Sequence, residues 1–343
     1  MALVESVLED FFSLSSKRAA ALAPSFEALW KTLQRNTSGG KRFRPQMVMT
    51  AYSALGGTDF RAAAHAGAAF ELLHTALIVH DDVIDRDFVR RGIPNVSGSY
   101  RDLAQTAGLS IPTAEHRGMS VAVIAGDLAL TGAFRLMDQA SPNPEIQHQL
   151  NELLDRAVFE SAAGELIDVD FSLHAGVPSI EDVLQMELLK TAVYSFEGPP
   201  QAGAILAGAS AELITSMSEF GRNVGIAYQV IDDLLGVYGD EASTGKTTLG
   251  DLREGKRTAL IAFAAGTEHW PALQPLIGKS TLTADEAADV RATLETIGAK
   301  AFTQKLAQDH AEKALAALRA EHVPAALADQ LTPVVTAVIE RVR

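Results

Sequence analysis

Apolar residues along this chain recur at intervals of three and four, and the strict alternation that predicts strands is scarce. Prolines bunch together and leave five long proline-free stretches, 46–93, 113–141, 145–177, 201–270 and 276–323. Each has room for one or more helices, since an interior proline costs a helix ~3 kcal/mol. Start signals agree. In Ser179-Ile-Glu-Asp182 a capping hydroxyl precedes an acid by three residues, ahead of an apolar-periodic run reaching Phe196. Thr283-Ala-Asp-Glu286 repeats the device, and Phe302, Leu306, Leu315 and Leu318 follow at helical spacing. No Ser/Gly-rich linker interrupts the chain, and no repeat of about 20–50 residues stands out. The pattern predicts an all-α protein whose residues 1–343 form a single domain.

Composition removes several classes of function. The chain is 47% hydrophobic and 21% charged, ordinary values for a globular protein. Its 29 basic and 43 acidic residues leave a net charge of −14, which argues against non-specific nucleic-acid binding. There is no cysteine, so disulfides, thiolate nucleophiles, zinc–thiolate sites and iron–sulfur clusters are excluded. Residues 1–10 are acidic and lack a signal-like apolar run. No stretch reaches the roughly 18 uninterrupted apolar residues of a membrane helix. The best candidate, Val121 to Phe134, is broken by Asp127. The expectation is a cytoplasmic protein with no transmembrane segment.

Two acid clusters carry the candidate chemistry. In the segment from Phe70 to Arg91, helical spacing puts His74, Leu77, Ile78, Asp81 and Asp85 on one face, with Asp82 beside them. Like charges one turn apart repel, and a hard divalent cation relieves that repulsion; carboxylate oxygens suit magnesium. A second face combines Gly225, Gln229, Asp232 or Asp233, and Gly236, where paired acids again end an apolar stretch. One acid-rich turn is ordinarily a solvated helix end. Two of them, each preceded by apolar helix, suggest opposing walls of one cavity.

Magnesium commonly bridges a few carboxylates to substrate phosphates, so cations should accompany these acids. They do: GGKRFRP at 39–45, Arg90-Arg91-Gly92, Lys190-Thr191, Lys246, and Glu254-Gly-Lys-Arg257. In an acidic chain, such bunching favours a polyanionic ligand over scattered surface charge. The stretch from Gly239 to Thr247 imitates a Walker A loop. Its spacing is one residue too long, however, and it follows an acidic helix rather than a buried strand.

These motifs, in this order, resemble the trans-isoprenyl diphosphate synthases of the polyprenyl synthetase family. The likeness spans roughly 36 to 260 and is strongest to bacterial geranylgeranyl diphosphate synthases. It rests on GGKRFRP, HDDVID with RRG, AGDLAL (125–130), LLKTA (188–192), AILAG (204–208), YQVIDDLLGVYGD, and then TGK with DLREGKRT. It implies a large helical bundle around a central cavity, usually homodimeric. The implied reaction joins isopentenyl diphosphate head to tail with an allylic diphosphate. Asp81, Asp85 and Asp232 would hold Mg²⁺, three ions once substrate is bound, with Asp82 and Asp233 as supporting ligands. Arg90, Lys190, Thr191, Gln229, Lys246 and Lys256 would contact the allylic diphosphate or the cation formed from it. Lys41, Arg44, His74 and Arg91 would hold isopentenyl diphosphate.

The second aspartate motif departs from the family in ending at Gly236 where a third acid is common. Two acids remain, and activity is expected to survive. The position five residues before Asp81 is the small Ala76 rather than an aromatic, with Leu77 and Leu73 as a partial floor. The product expected is therefore geranylgeranyl diphosphate, with farnesyl or longer chains as alternatives. A terpene cyclase is disfavoured, because it lacks a second diphosphate site and its second metal motif mixes Asn, Ser and Glu. A non-catalytic partner subunit would have lost the first acid motif, which is intact.

Overall fold

The computed structural model describes residues 1–90, 92–173, 176–239 and 248–341. The all-α expectation holds, with one addition. Val89–Arg90 and Ile93–Pro94 pair as a minimal antiparallel hairpin, too short to leave a periodic trace in the sequence. The chain divides into two compact units, Met1–Arg156 with Pro199–Ala209, and Ala157–Gly198 with Ser210–Arg343.

The first unit holds α1 (Ala2–Ala20), α2 (Pro24–Thr37), α3 (Phe43–Ala54), α4 (Phe60–Ile84), α5 (Val96–Thr106) and α6 (Ile111–Met137). The boundary between units falls within α7 (Pro144–Leu173). Helix α4 is the unit's axis. Asp59 caps its start, its side chain accepting from the backbone N–H groups of Arg61 and Ala62. Ala63, Ala64, Ala66, Ala68 and Ala69 are buried, and these small side chains admit α3 and α6 close to the α4 backbone. At Gly67 a β-carbon would lie 3.1 Å from the Cα of Pro45 on α3. Helix α6 answers with its own small residues. Gly132 leaves space filled by Phe11 and Leu72, whose atoms lie 2.6 and 2.7 Å from where a β-carbon would stand.

Helices α4 and α6 are both long and apolar enough, by length and composition, to cross a bilayer. The demand for an uninterrupted apolar run overlooked them. In α4, 72% of the apolar window is buried, so packing accounts for its composition. In α6 the buried share is 39%, and Val123 and Ile124 are exposed.

The second unit contains α8 (Ile180–Glu187), continued by a π-helical stretch Leu188–Glu197, and α10 (Ala211–Tyr238); α9 (Gly198–Leu206) lies between them in sequence. Both predicted capping boxes are present, at Ser179 with Asp182 and at Thr283 with Glu286. The run to Phe196 is helical throughout but widens at Leu188, which periodicity alone does not reveal. Helix α10 packs on the π stretch and on the helix Ala299–Leu318. Leu234 and Val237 at its end enter a core with Leu252, Leu260, Val290 and Leu294.

Candidate active site

In the first unit, the end of α4 sorts its acids by face. Asp81 and Asp85 stand one turn apart, Asp81 half-buried and Asp85 exposed at the C-cap, where the Asp85 N–H donates to the Asp81 carbonyl at 2.9 Å. Asp82, only 3% exposed, turns into the packing. The hairpin after α4 folds Arg90 back onto these acids. Arg90 Nε donates to Asp82 Oδ1 at 2.8 Å, and Nη2 donates to Asp81 Oδ2 at 3.0 Å. Burial lifts the Asp82 pKa to about 6 against the opposing pull of Arg90. A side chain that holds Asp81 and Asp82 is thus a base that the sequence had assigned to a substrate phosphate.

The GGKRFRP loop belongs to the same unit. Gly39 and Gly40 take positive φ of 84° and 81°, and Arg42 follows at 49°, a left-handed run that only glycine enters freely. The tight loop ends at Phe43, where α3 begins. Lys41 is exposed, Arg42 buried and Arg44 half-buried. Along α4, Gly67, Glu71 and His74 form one stripe: Pro45 packs on Gly67, Arg42 pairs with Glu71 at 2.9 Å, and half-buried His74 comes next. One rigid helix therefore carries both the acid pair and the seat of the basic loop.

In the second unit, Lys190 lies on the π stretch and reaches two acids of α7, Glu165 Oε2 at 3.0 Å and Asp168 Oδ2 at 2.6 Å. Thr191 beside it is half-buried. On α10, Gln229 Nε2 donates to Asp233 Oδ1 at 3.2 Å, one turn on. Asp232 is half-buried and pairs with Arg341 at 2.9 Å, whose guanidinium also stacks 4.4 Å over the Tyr228 ring. Asp233 is 8% exposed, and beneath it Glu187 is 2% exposed, with neither carboxylate oxygen hydrogen-bonded by a donor among the described residues. Burial, with Asp233 and Asp168 nearby, holds Glu187 well above the usual carboxylate range. Burial likewise pushes Asp233 up to about 7. Two neighbouring buried acids disfavour carrying two charges at once.

Gly236 has a structural reason. A β-carbon there would fall 1.8 Å from Asp251 Oδ2, so Asp251 occupies the space a third motif acid would enter. Asp251 also binds Lys256, Oδ1 to Nζ at 2.9 Å, with Glu254 at 3.5 Å. Burial works to lower the Lys256 pKa, but the two carboxylates outweigh it and the net shift is upward.

The structure thus gathers Asp81, Asp82 and Arg90 in one unit, and Gln229 and Asp233 in the other. Arg91 and Lys246 lie outside the described residues. Sequence reasoning missed Glu165, Asp168, Glu187, Asp251 and Arg341. The acid-rich run at 165–170 and the acid of ELLK at 187–190 were the local signals.

The donor set is all-oxygen, as a hard cation requires. Among the described residues no three ligating side chains converge on one point. That fits a cation held by one or two carboxylates at a time with the remaining positions filled by phosphate oxygens or water, and Asp81 with Asp85 offers such a pair.

Comparison with known proteins agrees with these motifs. The polyprenyl synthetase family model matches residues 26–296. Geranylgeranyl diphosphate synthase from Sulfolobus acidocaldarius is 37% identical over 228 residues, 66% of this chain and 63% of that protein, so this match spans less than two thirds of that relative. Geranylfarnesyl diphosphate synthase from Aeropyrum pernix is 30% identical over 99% of this chain and 100% of its own length. Among solved structures, geranylgeranyl pyrophosphate synthase from Corynebacterium glutamicum, complexed with isoprenyl diphosphate and magnesium, superposes with a TM-score of 0.90. It is 29% identical and covers 99% of this chain and 98% of its own.

Proposed function

The chain belongs to the polyprenyl synthetase family of trans-prenyltransferases, and on that premise we propose that it joins isopentenyl diphosphate head to tail with an allylic diphosphate, giving geranylgeranyl diphosphate as main product. One observation carries the reading: α4 bears the Asp81–Asp85 pair at its end and seats the Lys41–Arg44 loop one stripe back. Acids for a metal-bound diphosphate and bases for a second diphosphate share one rigid element, which is what a reaction between two diphosphates needs. We also propose that residues 1–343 act as a single catalytic domain.

Magnesium is the family's metal; Asp81, Asp85 and Asp232 would hold it, with Asp82 and Asp233 in support, as three ions with substrate. When bound, it supplies positive charge to the departing allylic diphosphate. The chain's own residues do the rest. Arg90, Lys190 and Lys256 are each held by acids, and Asp232 by Arg341. A bound diphosphate would compete with these acids for Arg90, Lys190 and Lys256, and Asp81, one of the two carboxylates that Arg90 holds, would then be available to the metal. Thr191 and the Gln229 carbonyl turn their dipoles to the allylic cation. Lys41, Arg44 and His74 hold isopentenyl diphosphate so that its double bond attacks. Proton loss to the released diphosphate completes the step. Lys246 and Arg91 are assigned by motif alone.

Val123 and Ile124 on α6 are apolar and exposed, and they support the proposal of a homodimer. A cytoplasmic setting is proposed for a chain without cysteine.

Purified protein, given isopentenyl diphosphate with dimethylallyl, geranyl or farnesyl diphosphate, is expected to elongate only with Mg²⁺. Geranylgeraniol is expected as the main alcohol after dephosphorylation. No elongation from any primer by folded protein would favour a non-catalytic partner subunit; a main product of farnesol or longer alcohols would replace the chain-length reading alone.

Chain length has its own test. Leu77 is half-buried on the acid face, while Ala76 is 1% exposed and packed beside it. A phenylalanine at 76 must push its ring toward the growing chain, about one turn from Asp81. Ala76→Phe is expected to shift the main alcohol to farnesol or shorter. An unchanged product would place the floor elsewhere.

A further inference from the structure

Arg42 stands inside the basic loop, between Lys41 and Arg44, yet it faces protein. It is 7% exposed. Its Nε donates to Glu5 Oε1 at 2.6 Å and its Nη2 to Glu5 Oε2 at 3.1 Å, a two-pronged pair that arginine's planar fork can make and lysine cannot. Its Nη1 donates to Glu71 Oε1 at 2.9 Å and to the Thr37 carbonyl at 2.7 Å. The guanidinium thus ties α1, the end of α2 and α4 to the loop at one point. Burial works to lower its pKa, and the two carboxylates more than compensate. Glu71 depends on this contact, because its Oε2 finds no donor among the described residues.

The backbone at Arg42 is left-handed, with φ 49° and ψ 41°. A residue with a side chain keeps that conformation when its surroundings impose it, and such strain clusters where a loop must hold one shape. Here the imposing groups are visible: Glu5 on one side and Glu71 on the other. Pro45, three residues on, is pressed against α4 at Gly67. The loop is pinned on both sides of Arg44.

We propose that Arg42 is a positioning residue for the isopentenyl diphosphate site and that Glu5 of α1 is part of its support. The inference rests on Lys41 and Arg44 binding that diphosphate, as proposed above. A loop fixed beforehand presents both bases to one diphosphate without an ordering cost at binding. Glu5 lies upstream of the 26–296 stretch that the family model matches, so this support comes from outside the segment that defines the family.

Glu5→Gln is the cleaner test, because Glu5 is 44% exposed and its change leaves the Arg42–Glu71 pair in place. The expected result is a rise of about 5–10-fold in KM for isopentenyl diphosphate, with kcat and the allylic KM within about twofold of wild type. Arg42→Lys, which cannot span both acids, is expected to raise that KM by about 10–30-fold. Titrating isopentenyl diphosphate alone into each protein in a calorimeter should show the same order of affinities, independent of turnover. Wild-type affinity in both variants overturns the inference and leaves the proposed reaction intact. Equal losses in kcat, both KM values and melting temperature also overturn it, since they mark a merely structural contact. A wild-type protein that binds no isopentenyl diphosphate refutes the reading underneath, and the inference with it.

Discussion

Asp81→Ala is expected to lower kcat by about a thousandfold or more while the protein keeps its fold. A metal-neutralised leaving diphosphate is worth several kcal/mol of barrier, and each ~1.4 kcal/mol is a factor of ten in rate. Asp81 is half-buried, and its partner Arg90 also pairs with Asp82 at 2.7 Å. Removing Asp81 therefore leaves Arg90 with a carboxylate partner, and the melting temperature should move little. Asp82→Ala should behave differently, although the two residues are adjacent. Asp82 is 3% exposed and anchors the hairpin through Arg90. Breaking a buried pair outright costs about 3–5 kcal/mol, and because Arg90 retains Asp81 the expected loss is nearer ~2 kcal/mol. Circular-dichroism melts and single-turnover rates on both variants, with Mg²⁺ saturating, separate the roles. If Asp81→Ala retained a tenth of wild-type kcat, the acid face of α4 would not be the metal-binding face.

Part of this arrangement is legible in the sequence, and the legible part has a common character. Asp81 and Asp85 share a face because helical spacing demands it, and the capping boxes at Ser179 and Thr283 are contained within four residues each. What escaped depends on partners far along the chain. Glu5, Arg42 and Glu71 meet across 37 and 29 residues, and Asp232 meets Arg341 across 109. Glu187 reads as an ordinary surface acid in ELLK until burial shows it under Asp233. Gly236 read as a missing acid; Asp251, fifteen residues on, stands in the vacated space. The π stretch was read as plain helix because one extra residue per turn hardly disturbs a hydrophobic pattern over so short a run.

Glycines tell how that widened turn is held, and they give the second large effect. Gly164 on α7 would place a β-carbon 2.2 Å from the backbone N of Lys190 and 2.6 Å from its Cα. From the other side, Gly221 on α10 would meet the Glu197 Cα at 2.3 Å, and Gly225 would meet the Ala192 Cβ at 2.4 Å. The π stretch is therefore clasped between two helices where neither can bear a side chain. Gly164→Ala sets two terms against each other. Alanine improves the propensity of an interior helical position by up to ~1 kcal/mol. Overpacking costs about 1–3 kcal/mol, and here the obstacle is backbone, which cannot swing away as a side-chain tip can. The clash should win by about 2 kcal/mol, lowering the melting temperature by roughly 3 °C. The same displacement carries Lys190 away from Glu165 and Asp168, and an error of about 1 Å in a group that must meet the leaving diphosphate can cost ~100-fold in rate. Gly164→Ala is accordingly expected to lose both stability and kcat. A variant that melts higher than wild type would mean that the π stretch slides freely, and that its width does not set the position of Lys190.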